Sequence, residues 1–187
     1  MNIMATQTKP LTYDDYRRLP DDGNQYQLIG GQLIMSPSPT YSHQIISSNL
    51  FYALKQYVSE KKVGEILYAP FDVVLSMRDV VQPDLMFISA ERADTIAENN
   101  VVEAPDLVIE ILSEATKTID RTSKKILYEQ NGVREYWIVD PIGQTIEQFI
   151  LREGVFELND TFNGSQTLTS PTLEGFSLAV GAVFPNR

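Results

Sequence analysis

A chain of 187 residues that is 43% hydrophobic and 21% charged has the make-up of an ordinary globular protein and is long enough to bury a core, most simply as one domain over 1–187. It contains no cysteine and a single histidine, His43, which excludes disulfides, thiolate metal sites and any centre built from two or three imidazoles. A metal would then be held by oxygen, which favours magnesium or manganese. The formal net charge of −10 argues against nucleic-acid binding by the whole surface and leaves room for a local groove. No apolar run approaches the roughly 20 residues of a membrane span. The N-terminus lacks a basic start followed by an apolar core, so no secretory leader is expected, and the lack of cysteine agrees with a cytoplasmic location.

From the N-terminus, "LTYDDYRRLP" predicts a short helix with Thr12 as N-cap, Asp15 three residues on and a stop at Pro20. "YQLIGGQLIM" predicts a hairpin turning at Gly30–Gly31, and "SPSPT" a loop. Apolar residues at Ile45, Ile46, Leu50, Ala53, Leu54, Tyr57 and Val58 give a helical stripe over about 41–60. "EILYAP", "FDVVLS" and "PDLMFIS" read as strands, "SAERADTIAENN" as a short helix, and "PDLVIEILS" as a strand buried on both faces. A helix over about 120–130 ends at Asn131–Gly132. "EYWIVD" is a further strand, "TIEQFILR" and "GVFELN" pair as a hairpin, and the tail packs back on the body. This order fits an α/β or α+β fold, a sheet with helices on its faces.

Among the acids, Asp72, Asp84, Asp106 and Glu110 compete for a functional role. Glu110 stands inside an apolar strand, where a lone carboxylate is costly unless a positive partner meets it. That partner is either a structural cation or one held for chemistry. Asp106 and Glu110 share a face, yet four residues of strand span about 13 Å. Two oxygens on one magnesium lie no more than about 4.2 Å apart. A neighbouring strand is only about 4.8 Å away, which makes Asp84 of "PDLMFIS" the better partner. The blander readings are turn residues after proline for Asp84 and Asp106 and a buried structural ion pair for Glu110.

In "DRTSKKILYEQNG", Asp120, Lys124 and Tyr128 follow at spacings of four and share one helix face. Ile126 and Leu127 are expected on the buried face and Lys125 toward solvent. Spacing alone describes an ordinary Asp–Lys pair on a solvated helix as well as it describes a catalytic lysine.

The segments "QPDLMFIS" and "APDLVIEILSEATKTIDRTSKKILYEQNGVREYWIVDP" resemble the Uma-two family of restriction-endonuclease-like proteins, within the PD-(D/E)XK nuclease superfamily. The likeness runs over about 13–184 and rests on the composite of "EILS", "D…K…Y", "GV" and "EYWIVDP" in that order. It implies a restriction-endonuclease-like mixed β-sheet flanked by helices, and cleavage of DNA phosphodiester bonds with a divalent cation, magnesium or manganese. It maps the first acid onto Asp84 and the second onto Glu110. The lysine normally two residues on is Leu112 here and is moved to the following helix as Lys124. The main-chain carbonyl of Ile111 becomes a further metal ligand. His43 touches substrate phosphate or caps and packs, and Tyr128 packs with its hydroxyl at the rim. Many relatives carry glutamates in the early hairpin where this chain has Gln27 and Gln32, which supply neither charge nor base. The expectation is a homodimeric, metal-dependent DNA endonuclease. The alternatives are a catalytically inactive nuclease-fold binding or regulatory module, and a structural protein whose Glu110–Lys124 pair is only a salt bridge.

Overall fold

Thr12 and Asp15 close a full capping box at the start of α1 (Tyr13–Tyr16) in the computed structural model, which describes residues 9–185. Residues 1–8 of the stretch read for a secretory leader lie outside the described residues. The helix is a single turn that ends well short of Pro20, because it has no buried residue to extend it. The hairpin of β1 (Gln25–Ile29) and β2 (Gln32–Ser36) turns where expected. Gly30 and Gly31 hold φ of 59° and 76° there, the pair of positive values a two-residue type I′ turn requires. The helix α2 (Tyr41–Lys61) is capped by the Thr40 hydroxyl, which accepts from the His43 amide at 3.3 Å. It buries Ile46, Leu50, Leu54 and Val58, each worth roughly 1.5–3 kcal/mol of apolar transfer.

The strands that follow are β3 (Gly64–Tyr68), β4 (Asp72–Ser76), β5 (Asp79–Val81), β6 (Leu85–Ser89), β7 (Asn100–Val102) and β8 (Leu107–Ile111). A 3-10 turn, Ala90–Thr95, stands where a short helix is expected. Both β5 and β7 are three residues long, too short for alternation to reveal them. The helical segment α3 covers 117–130. It opens at Lys117, winds Asp120–Lys124 as a π turn and continues as α-helix over Lys125–Gln130. It begins three residues before the expected start. Ile126, expected to be buried, is 52% exposed, while Leu127 and Tyr128 are buried. The wider π turn shifts the phase of the face that follows. Lys125 lies over the Phe149 ring at 3.9 Å rather than in open solvent. The chain closes with β9 (Glu135–Asp140), β10 (Thr145–Arg152), β11 (Val155–Asn163), β12 (Thr167–Thr169) and β13 (Ser177–Ala179).

These strands form a six-stranded sheet in the order β11-β10-β9-β8-β6-β3, a five-stranded sheet in the order β2-β1-β5-β4-β7, and the β12–β13 pair. The two larger sheets are mixed, with β8–β9 and β4–β7 parallel. The architecture is the expected mixed α+β one. β8 lies inside the six-stranded sheet, and its alternate side chains serve two cores. Leu107, Ile109 and Ile111 pack with α2, while Val108 and Leu112 pack with Tyr128, Tyr136 and the five-stranded sheet's Val73 and Val81. Glu110 belongs by parity to the second side. Asp106, read as a turn residue, is fully buried and ion-paired. It accepts from the Ser89 amide at 2.8 Å and meets Arg92 and Arg134 at 3.3 Å each.

Candidate active site

The pairing of β6 with β8 brings the two proposed acids together. Leu85 faces Ile109, Met86 faces Val108 and Phe87 faces Leu107. One further step of that antiparallel register sets Asp84 opposite Glu110, and opposed residues point to the same face. At this step a side chain replaces the ladder. Asp84 Oδ2 accepts from the Ile111 amide at 2.7 Å and meets His43 Nε2, from the first turn of α2, at 3.2 Å. Among the described residues nothing donates to Asp84 Oδ1.

Glu110 shows the same division of its oxygens. Its Oε1 accepts from Lys124 Nζ at 2.9 Å and from the Tyr128 hydroxyl at 2.6 Å, and among the described residues nothing donates to Oε2. Lys124 also lies 3.3 Å from Asp120 Oδ1. Glu110, Asp120 and Lys124 are all at most 3% exposed. The Tyr136 hydroxyl donates to the Asp120 carbonyl at 3.0 Å, which pins the π turn above the sheet. A cavity of about 260 Å³ opens over this group, lined by His43, Asp84, Glu110, Ile111, Asp120 and Lys124. Its outer wall sets neutral hydroxyls and amides, among them Gln27, Ser36, Thr40, Gln44, Ser113 and Thr116, beside apolar residues such as Pro37 and Pro70.

Charge is out of balance here. Burial pushes the Glu110 carboxyl up to about 8; Lys124 draws it down, while Asp120 and Asp84 add to the rise. Asp120 is likewise raised by burial, with Lys124 opposing. Burial works to lower the Lys124 value, but Glu110 and Asp120 outweigh it, so the ammonium keeps its proton. His43 is also raised, because Asp84 outweighs the effect of burial. Three carboxyl groups thus crowd one ammonium and one imidazole, and Glu110 answers by holding its proton up to about pH 8.

Other sequence candidates fall elsewhere. Asp72 accepts from the Tyr16 hydroxyl at 2.9 Å and from Gln82 Nε2 at 2.8 Å within the five-stranded sheet, and it does not line the cavity. Gln27 does, with Nε2 donating to Ser36 Oγ at 2.8 Å and Oε1 accepting from the Gln82 amide at 3.1 Å. Gln32 is exposed on the hairpin and does not line it. Asp120 is the member sequence reasoning left as an ordinary helix pair. Its signal was the shared spacing with Lys124 and Tyr128.

A family model described as Uma2, "Putative restriction endonuclease", matches residues 13–181. The chain belongs to the Uma2 family. Membership supports nuclease function. Comparison with curated proteins gives no match. Among solved structures, the chain is similar to a crystal structure from Anabaena variabilis described as "a putative nuclease belonging to DUF820". The two are 20% identical over 94% of this chain and 98% of that one, with a TM-score of 0.78, a likeness that shows the fold. No described helix is long and apolar enough to cross a membrane.

Proposed function

We propose that this Uma2 chain is a metal-dependent endonuclease that hydrolyses phosphodiester bonds of DNA. Asp84, Glu110 and the main-chain carbonyl of Ile111 hold magnesium or manganese, and Lys124 is the charged group beside them. The observation that carries this reading is the matched state of the two acids. They meet across β6 and β8, each with one oxygen tied down and one left without a donor among the described residues. A Glu110 carboxyl pushed up by burial and by its acidic neighbours fits a site that lacks a positive charge. No group of three or more His, Cys, Asp and Glu among the described residues is gathered tightly enough to hold a metal by side chains alone. Two carboxylates and a carbonyl leave the remaining positions to water and phosphate oxygens, which is how magnesium is commonly held.

A divalent cation there supplies charge stabilisation and water activation. The chain's own residues do the rest. Tyr128 and Lys124 hold Glu110 by Oε1, and His43 with the Ile111 amide holds Asp84 by Oδ2, so the acids need little reorganisation. Lys124, kept protonated, offers hydrogens to a phosphate oxygen as charge develops. The neutral donors of the outer wall suit phosphate contacts on an acidic protein.

Supercoiled plasmid incubated with magnesium or manganese tests this. Nicking by the intact chain that Glu110→Gln and Asp84→Asn abolish, with both variants folded, is expected; no nicking with either cation overturns it. Gln27 favours a second reading, a non-catalytic nuclease-fold binding module. Both ends of its amide are engaged in the wall, so it offers the cavity neither charge nor base. DNA retained in a gel shift without any cleavage is the outcome that reading requires.

A further inference from the structure

Lys124 stands between two carboxylates that hold it unequally. Its Nζ hydrogen-bonds Glu110 Oε1 at 2.9 Å. Asp120 Oδ1 lies 3.3 Å away in an ionic contact only, and this buried oxygen receives no hydrogen bond among the described residues. A buried acceptor left without a donor loses the hydrogen bonds it would make to water and gains none in return. An ammonium carries three hydrogens, so a small torsional change in the lysine satisfies Asp120. Glu110 can spare it, because the Tyr128 hydroxyl donates to the same Oε1 at 2.6 Å. Asp120 itself stays in place, since its main-chain carbonyl is bonded by the Tyr136 hydroxyl and the π turn carries both Asp120 and Lys124.

We propose that Asp120 is a positioning residue for Lys124. It takes up the ammonium when Glu110 gives its charge to a cation, and so keeps Lys124 in the cavity without competing for Glu110. This rests on the metal-dependent reading above. Without Asp120, Glu110 is the one carboxylate among the described residues that hydrogen-bonds the lysine, so its single negative charge must serve lysine and cation together.

Calorimetric titration of magnesium, or manganese, into the full chain tests this through a double-mutant cycle. The proteins are the wild type, Asp120→Asn, Lys124→Met and the double variant. If Asp120 acts through the lysine, Asp120→Asn weakens cation binding by about tenfold when Lys124 is present and by less than about threefold in the Lys124→Met background, a coupling expected of residues in contact. Asp120→Glu, which keeps a carboxylate on the same face, recovers most of the affinity. Equal weakening in both backgrounds means that Asp120 acts on the cation by charge alone and overturns the proposal. Thermal melts check that each variant folds, and Lys124→Gln replaces Lys124→Met if the latter does not. A wild type that binds neither cation overturns this inference together with the metal-dependent reading. A wild type that binds, with no loss in Asp120→Asn, overturns this inference alone.

Discussion

Lys124→Met removes the ammonium that sits among the carboxyl groups of Glu110, Asp120 and Asp84, and in metal-free protein the cost depends on pH through Glu110. Burial raises that carboxyl from 4.5 to about 8, with Lys124 drawing it down. A carboxyl raised on folding binds more protons folded than unfolded, so stability falls as pH rises across the interval from 4.5 to about 8. Below about pH 8 Glu110 is protonated in both proteins. The variant then loses chiefly the Lys124–Asp120 pair, about 3 kcal/mol for a buried partner removed. Above that value the wild type ionises Glu110 against Lys124 while the variant holds its proton. The gap therefore widens by up to about 1.4 kcal/mol per pH unit. Urea melts followed by circular dichroism, with chelator present, measure the gap from about pH 6 to about pH 9. A gap that stays constant over that range, or narrows above pH 8, refutes the reasoning. Glu110→Gln serves as control and removes Glu110's share of the fall in stability between about pH 5 and pH 8.

Glu135 is a buried acid of a different kind. It accepts from Trp137 Nε1 at 2.6 Å, Gln148 Nε2 at 2.7 Å, Ser170 Oγ at 2.6 Å and the Thr172 amide at 3.1 Å. Glu135→Ala orphans these donors and is expected to cost about 3 kcal/mol in urea melts, while cation affinity in calorimetry stays as in the wild type; unchanged stability contradicts this. Gly31→Ala places a Cβ 2.5 Å from Pro10 Cβ at a φ of 76° and lowers stability by roughly 1–2 kcal/mol, read as a drop in melting temperature. Gln27→Glu adds a negative charge to the cavity wall and strengthens magnesium binding by about tenfold, the effect of one charge a few ångströms away; calorimetry showing equal or weaker binding goes against the placement of Gln27 beside the site.

Much of the site was legible because burial rules are strict. A glutamate at the fourth position of an all-apolar strand demands a partner, and the period of two together with the strand spacing already preferred Asp84 over Asp106. What stayed hidden depended on tertiary packing. The π turn at Asp120–Lys124 has no local sequence mark, so Ile126 was expected inside, and Asp120 looked like half of a solvated pair. Asp106 follows a proline and reads as a turn residue; only the folded chain brings Arg92 and Arg134 to its carboxylate. The strands β5 and β7 are too short to carry a period, and with them the five-stranded sheet that supplies the cavity's Gln27 wall could not be seen as a separate layer. Gln27 and Gln32 looked equivalent in the hairpin, yet one lines the cavity and the other faces solvent.

The central claim is that Asp84 and Glu110 hold one divalent cation between them. Crystals of the full chain soaked in manganese, with an anomalous difference map, test it most directly. The account predicts a single strong peak at bonding distance from Asp84 Oδ1 and Glu110 Oε2, lost in Glu110→Gln. No peak in the cavity at saturating manganese, or one seated away from these two oxygens, contradicts it.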